Sequence, residues 1–159
     1  MRWILLLVFV SGCASYAGRG LVPGQATTAD ADKLMGPATE QRAGAGGESV
    51  RYYSRQPHGR EIYAARFGAD GRLIAIEQRL TTDNLAKLVP GTWNADQVRD
   101  LLGPPFEVHQ FPRQQREVWT YWMAGTTFPK HLYVQFSPDR VLRDVIYVDD
   151  PTIRDRMED

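Results

Sequence analysis

The sequence predicts an α+β protein made of two tandem repeats, each with short helices packed on an antiparallel three-stranded sheet. Three observations lead there. A string of residues recurs at a nearly fixed interval, each copy carries helix start and stop residues at matching places, and each copy then runs through three strand-like stretches. Leu21-Val22-Pro23-Gly24 returns as Leu88-Val89-Pro90-Gly91, 67 residues later. The same offset carries Leu34 to Leu101, Gly36-Pro37 to Gly103-Pro104, and Tyr52 to Trp119. Further on the offset becomes 69, relating Phe67 to Phe136, Asp70 to Asp139 and Leu73 to Leu142. A two-residue insertion in the second copy accounts for the change, and the shared order marks an internal duplication.

Each copy opens on its Val-Pro-Gly turn and then a short helix. Thr27 and Asn94 are equivalent and both suit an N-cap, where a side-chain oxygen accepts a bond from a free backbone N–H. Val98, Leu101 and Leu102 form an apolar stripe at helical spacing. Gly36 and Gly103 stand where a left-handed C′ residue, with positive φ, is wanted after a helix, and the proline that follows each prevents continuation. A polar loop is expected next, represented in the first copy by Ala43-Gly44-Ala45-Gly46-Gly47. Strands are expected at 50–54, 61–67 and 73–79, and again at 118–123, 130–136 and 141–148. The sequences Ala69-Asp70-Gly71 and Pro138-Asp139-Arg140 supply the hairpin turns. Leu132, Val134 and Phe136 alternate with His131, Tyr133 and Gln135, the pattern of a half-buried strand. Residues 82–88 read as a helix linking the copies.

The N-terminus carries a separate signal. Met1-Arg2 is a short positive segment, Trp3 to Val10 is unbroken apolar sequence, and Val10-Ser11-Gly12 precedes Cys13, the chain's one cysteine. The apolar run is too short to cross a bilayer as a helix, which takes about 20 residues, and reads as a cleaved export signal. Its end resembles the lipobox of bacterial lipoproteins. That resemblance implies a diacylglycerol on the Cys13 sulfur and an acyl chain on its amine. Several chains together anchor a protein stably, where one binds only marginally. Ala14 occupies the place at which an Asp commonly retains such proteins in the inner membrane, so the expectation is the outer membrane, on its periplasmic side. The chain then divides into a signal peptide (1–12), a lipidated tether (13–20), a diverged repeat (21–80), a second repeat (81–150) and a charged tail (151–159). There are 19 basic and 19 acidic side chains among 159 residues. This balance gives no basic face for nucleic acid. With Cys13 lipidated no internal disulfide can form, so the fold must hold through its apolar core. Four Trp, seven Tyr and six Phe supply large side chains for it.

The second copy, LVPGTWNADQVRDLLGPP followed by EVWTYW and YVQFSPDRVLRDV, resembles the small outer-membrane lipoprotein domain of the BamE, or SmpA/OmlA, family. The matching residues are Gly91, Gln97, Val98, Leu101, Leu102, Gly103, Pro105, Trp119, Tyr121 and Phe136. The first copy matches more loosely. Related helix-helix-sheet domains occur in the beta-lactamase-inhibitor protein family, of which tandem copies are a feature, whereas the assembly factor normally carries one domain. The resemblance implies two helices on one face of a three-stranded sheet. It also implies a non-catalytic role in outer-membrane protein assembly or envelope integrity, with the beta-barrel assembly machinery as a partner. The alternative it leaves open is a periplasmic binder or inhibitor of an envelope enzyme that works through a sheet face.

The residues themselves point away from an enzyme. His58, His109 and His131 lie at no metal-binding spacing, and neither HExxH nor GxSxG occurs. The segment 44–47 is glycine-rich but lacks the Gly-Lys-Ser/Thr of a phosphate loop. No metal and no cofactor beyond the lipid is expected. If helices cover only the Leu132 side of its strand, then Tyr133 and Gln135 lie on an open face. Trp122 or Tyr121 from the preceding strand, and Tyr147 from the last, are candidates to join them in binding a partner, since Tyr and Trp give large contact areas at small entropic cost. The competing arrangement has the first copy packed on that face, with Tyr133 in the core.

The lipidation reading is tested by Cys13→Ser. Metabolic fatty-acid labelling and membrane sedimentation are both expected to disappear. A variant that still labels and still sediments with membranes contradicts it.

Overall fold

The computed structural model describes residues 17–125 and 129–150. The expected signal peptide, Cys13 and the expected tail at 151–159 lie outside them. The elements run α1 (Thr28–Met35), β1 (Glu40–Ala43), β2 (Ser49–Ser54), β3 (Ile62–Phe67), β4 (Leu73–Gln78), α2 (Thr82–Leu85), α3 (Ala95–Leu102), β5 (Glu107–Phe111), β6 (Arg116–Met123), β7 (Lys130–Phe136) and β8 (Leu142–Asp149). They form two four-stranded antiparallel sheets in simple sequential order, β1 to β4 and β5 to β8.

The duplication is visible in the hydrogen bonds. Gly24 N–H donates to Leu73 C=O, and Gly91 N–H to Leu142 C=O. Leu73 N–H in turn donates to Ala26 C=O, and Leu142 N–H to Trp93 C=O. Both sheets carry a bulge before their last strand, at Arg66/Phe67 and Gln135/Phe136. Each main helix begins with a capping box. Thr27 and Asp30 exchange bonds at α1, and Asn94 and Gln97 do so at α3. Such caps contribute about 1 kcal/mol each. Both helices stop at glycines with φ of 85°. The positive φ is as expected, but their ψ values, −178° and −173°, put them outside the left-handed helical conformation expected of a C′ residue. They belong to an extended region that glycine alone adopts readily.

Four expectations change. Each sheet has four strands instead of three, because β1 and β5 form in segments expected to be loop. In the first copy Glu40–Ala43 pairs with β2, and a short 3-10 turn at Ala45–Gly47 closes the hairpin. The linker helix α2 is only one turn long. The residue matching also moves. Thr39 N–H donates to Tyr52 C=O as Phe106 N–H does to Thr120 C=O, so Tyr52 corresponds to Thr120 and not to Trp119. A one-residue slip of this kind puts a side chain on the opposite face. Finally, the packed body starts earlier than residue 21, because Gly18 is buried against Ile76 and Met35.

The sheets differ in what covers them. In the first, Tyr53, Ala65, Phe67 and Leu73 pack with Ala31 and Met35 of α1. The opposite face presents Tyr52, Ile62 and Ala64, and these join α3 and the second sheet in one core. That core contains Ala95, Val98 and Leu102 of α3 together with Trp119, Tyr121, Leu132, Val134, Phe136 and Leu142. The layers are therefore α1, first sheet, α3 and second sheet. Tyrosines from both sheets satisfy carbonyls at the end of α3. Tyr52 OH donates to Asp100 C=O and Tyr121 OH to Gly103 C=O, each at 3.0 Å. These are among the carbonyls that a helix C-terminus leaves without partners. Arg99 makes a two-pronged pair with Glu40, and Arg42 pairs with Asp100 at 3.0 Å. Burying one large apolar side chain is worth about 1.5–3 kcal/mol, more than partly exposed ion pairs supply. The apolar contacts thus hold the copies together, and the charges align them.

Gly36 and Gly103 separate two costs. A Cβ on Gly36 would meet open space, whereas one on Gly103 would lie 2.8 Å from Ile62 Cγ2 and 2.9 Å from Tyr52 Cδ1. Gly36→Ala is expected to cost about 1–3 kcal/mol from its backbone alone. Gly103→Ala adds about 1–3 kcal/mol of overpacking. Denaturant melts with equal losses for the two variants would contradict this packing.

The caps also differ in acid. Hydrogen bonds from the Thr27 side chain, then from its backbone, hold Asp30 below its ordinary value of 3.8. A carboxylate whose folded value is depressed stabilises fully above its unfolded value, and the contribution is lost as pH falls through the folded one. Gln97 does not titrate. Acidification below 3.8 is expected to fray the first turn of α1 while leaving that of α3 closed, as read from the NMR shifts of the Asp30 and Gln97 amides. Parallel changes at both ends would show that the Asp30 charge is immaterial.

Candidate functional site, the open face of the second sheet

On β6, Trp119, Tyr121 and Met123 are buried toward α3, so Val118, Thr120 and Trp122 point the other way. The register carries this face across the sheet. Thr120 stands opposite Glu107 and Tyr133, and Tyr133 opposite Ile146. Val118 stands opposite His109 and Gln135, and His131 lies between Trp122 and Val148. A groove of about 310 Å³ opens here. Val118 and Thr120 line its middle, Phe111 and Gln114 one side, and Tyr133 and Ile146 the other. Thr120 is buried, while Phe111, Ile146 and Val148 are exposed.

One end of the face is fixed by the first copy. The Gln56 amide donates to Trp122 C=O at 2.9 Å and accepts from Trp122 N–H at 3.2 Å. The Arg60 guanidinium lies 4.4 Å from the centroid of the Trp122 ring, a cation–π contact. Trp122 stacks on His131 at 4.5 Å and meets Phe106 edge-on at 5.8 Å. Arg60 also reaches buried Asp150 at 3.4 Å, and His131 Nε2 lies 3.9 Å from the same carboxylate. The Tyr133 hydroxyl is 3.3 Å from His131 Nδ1.

Trp122, Tyr133 and Gln135 therefore share the open face, and Tyr133 is half-buried there instead of in the core. Tyr147 does not join them. It stands opposite Leu132 in the register and so lies on the helix-covered side, near the exposed edge. The bulge is the reason. Leu142 pairs with Phe136 on the covered side, but Asp144 pairs with Gln135 on the open side, so alternation past the bulge is inverted. Sequence reasoning missed His109 and Phe111, which belong to the edge strand β5, and Val118, Thr120 and Ile146. Continuing the alternation of β7 across to β8, with one residue added at the bulge, would have found Ile146.

Among the described residues, no group of three or more His, Cys, Asp or Glu is placed to hold a metal ion. No described helix is long and apolar enough to cross a membrane. No protein-family model and no curated protein matches the sequence. Two solved structures show similarity. One is YjgB, a DUF4309 family protein from Bacillus subtilis, with 17% identity over 83% of this chain and 84% of that one and a TM-score of 0.33. The other is a protein from Streptococcus mutans provisionally described as a beta-lactamase inhibitor protein, with 12% identity over 77% of this chain and 82% of that one and a TM-score of 0.32. Neither is described as a BamE-family protein, so that likeness rests on the sequence motif alone.

Proposed function

We propose that the protein is a non-catalytic recognition module, anchored through Cys13 to the periplasmic side of the outer membrane. It binds an envelope protein through the open face of the second sheet and thereby modulates outer-membrane protein assembly or envelope integrity. The observation that carries this reading is the contrast between the sheets. Among the described residues the first has both faces packed, whereas the second has one face that no helix covers, with a groove flanked by Phe111, Tyr133 and Ile146. Apolar and aromatic side chains around a groove are the usual core of a protein-binding surface. The lipobox and the BamE-like motif supply the location and the class of partner.

The test is co-purification from detergent-solubilised membranes, comparing the natural chain with Tyr133→Ala. The beta-barrel assembly complex is expected in the eluate. Its recovery should fall about tenfold or more in the variant, the loss typical of an aromatic anchor, with circular dichroism unchanged. A soluble envelope enzyme in its place would redirect the reading to a binder of that enzyme. Undiminished recovery with Tyr133→Ala, or loss of folded protein, would remove the open face from the account.

A further inference from the structure

The duplication contains an occupied version of the open face. Matching backbone bonds equate Tyr52 with Thr120, and the registers then equate Glu40 with Glu107, Arg42 with His109, Val50 with Val118 and Ala64 with Tyr133. On the first sheet this face holds a helix, α3. Glu40 grips Arg99, Arg42 meets Asp100, and Tyr52 OH donates to a carbonyl of the last turn. On the second sheet the acidic residue and the valine are retained as Glu107 and Val118. A basic-type residue, His109, stands in place of Arg42. The aromatic has changed strands without leaving the pair, since Tyr52 opposite Ala64 becomes Thr120 opposite Tyr133. The phenol is thus still presented, and the groove lies beside it, over Val118 and Thr120.

We propose that the open face of the second sheet docks a short amphipathic α-helix of a partner protein, as the first sheet docks α3. A basic residue in the last turn of that helix faces Glu107, and its terminal carbonyls face Tyr133. The charge pattern argues against a second copy of this chain as the occupant. Its α1 is packed on the first sheet, and where α3 has Arg99, α1 has Asp32, which would meet Glu107 as a like charge. The α3 of a second copy is enclosed between its own sheets. Neither α1 nor α3 of a second copy fits, so the occupant proposed is a helix of a different protein, and the inference rests on the reading of this face as a binding surface.

Two displayed libraries distinguish the possibilities when selected against the full chain. One varies the exposed face of a helix on a rigid helical scaffold, and the other consists of unstructured peptides. Binders are expected from the helical library, with apolar residues at i, i+3 and i+4 and Lys or Arg in the final turn. Their affinity should drop tenfold or more with Glu107→Lys and with Tyr133→Ala. Binders found solely among unstructured peptides but sensitive to Tyr133→Ala would overturn the helix and keep the face. Helical binders indifferent to Glu107→Lys would overturn the proposed docking. The absence of binders, or binding insensitive to both substitutions, would remove the helix and the face together.

Discussion

One short helix serves two sheets, and most of the structure follows from that. The first sheet has apolar residues to bury on both faces but has only α1 within its own copy to cover them. Its second face, with Tyr52, Ile62 and Ala64, is buried because α3 packs there with its outward side. The inward side of α3 is the core of the second sheet. Two requirements then converge on its C-terminus. The chain must turn at Gly103 with positive φ, and it must do so within contact distance of Tyr52 and Ile62. Glycine meets both conditions, and proline at 104 ends the helix at that point.

Among the described residues the same arithmetic of faces leaves one without a helix. Two sheets have four faces, and α1 and α3 between them cover three. The fourth, on β5 to β8, carries Thr120, His131 and Tyr133 where the first copy presents Tyr52, Ile62 and Ala64 to α3. Its end is stiffened by the first copy through Gln56 and Arg60. Duplication has thus produced both the support and the vacant surface. The first copy fixes α3 from behind and borders the open face from one side, an arrangement suited to holding a recognition surface rigid.

What the sequence made legible was local. Helix caps at Thr27 and Asn94, positive φ at Gly36 and Gly103, and the alternation of β7 depend on a few neighbouring residues and were read correctly. The edge strand β5 was not, because all five of its residues are exposed and carry no hydrophobic period. The match of Tyr52 to Trp119 failed because β2 is buried at both Tyr52 and Tyr53, so pattern alone does not say which residue faces which helix. Tyr147 failed for a third reason, since a bulge inverts the parity of β8. The open face was therefore legible along β7 and at Trp122 of β6, and obscured on β5 and β8.

The claim that α3 ties the copies into one unit is tested most directly by native-state hydrogen exchange in increasing denaturant. Amides of β2, around Tyr52, and of β6, around Tyr121, are predicted to converge on the same opening free energy and the same denaturant dependence, because the Tyr52 face of the first sheet and the core of the second share α3. Exposure of the β2 amides at distinctly lower denaturant, with β6 still protected, would show that the second copy stands alone and that the shared helix does not govern the fold.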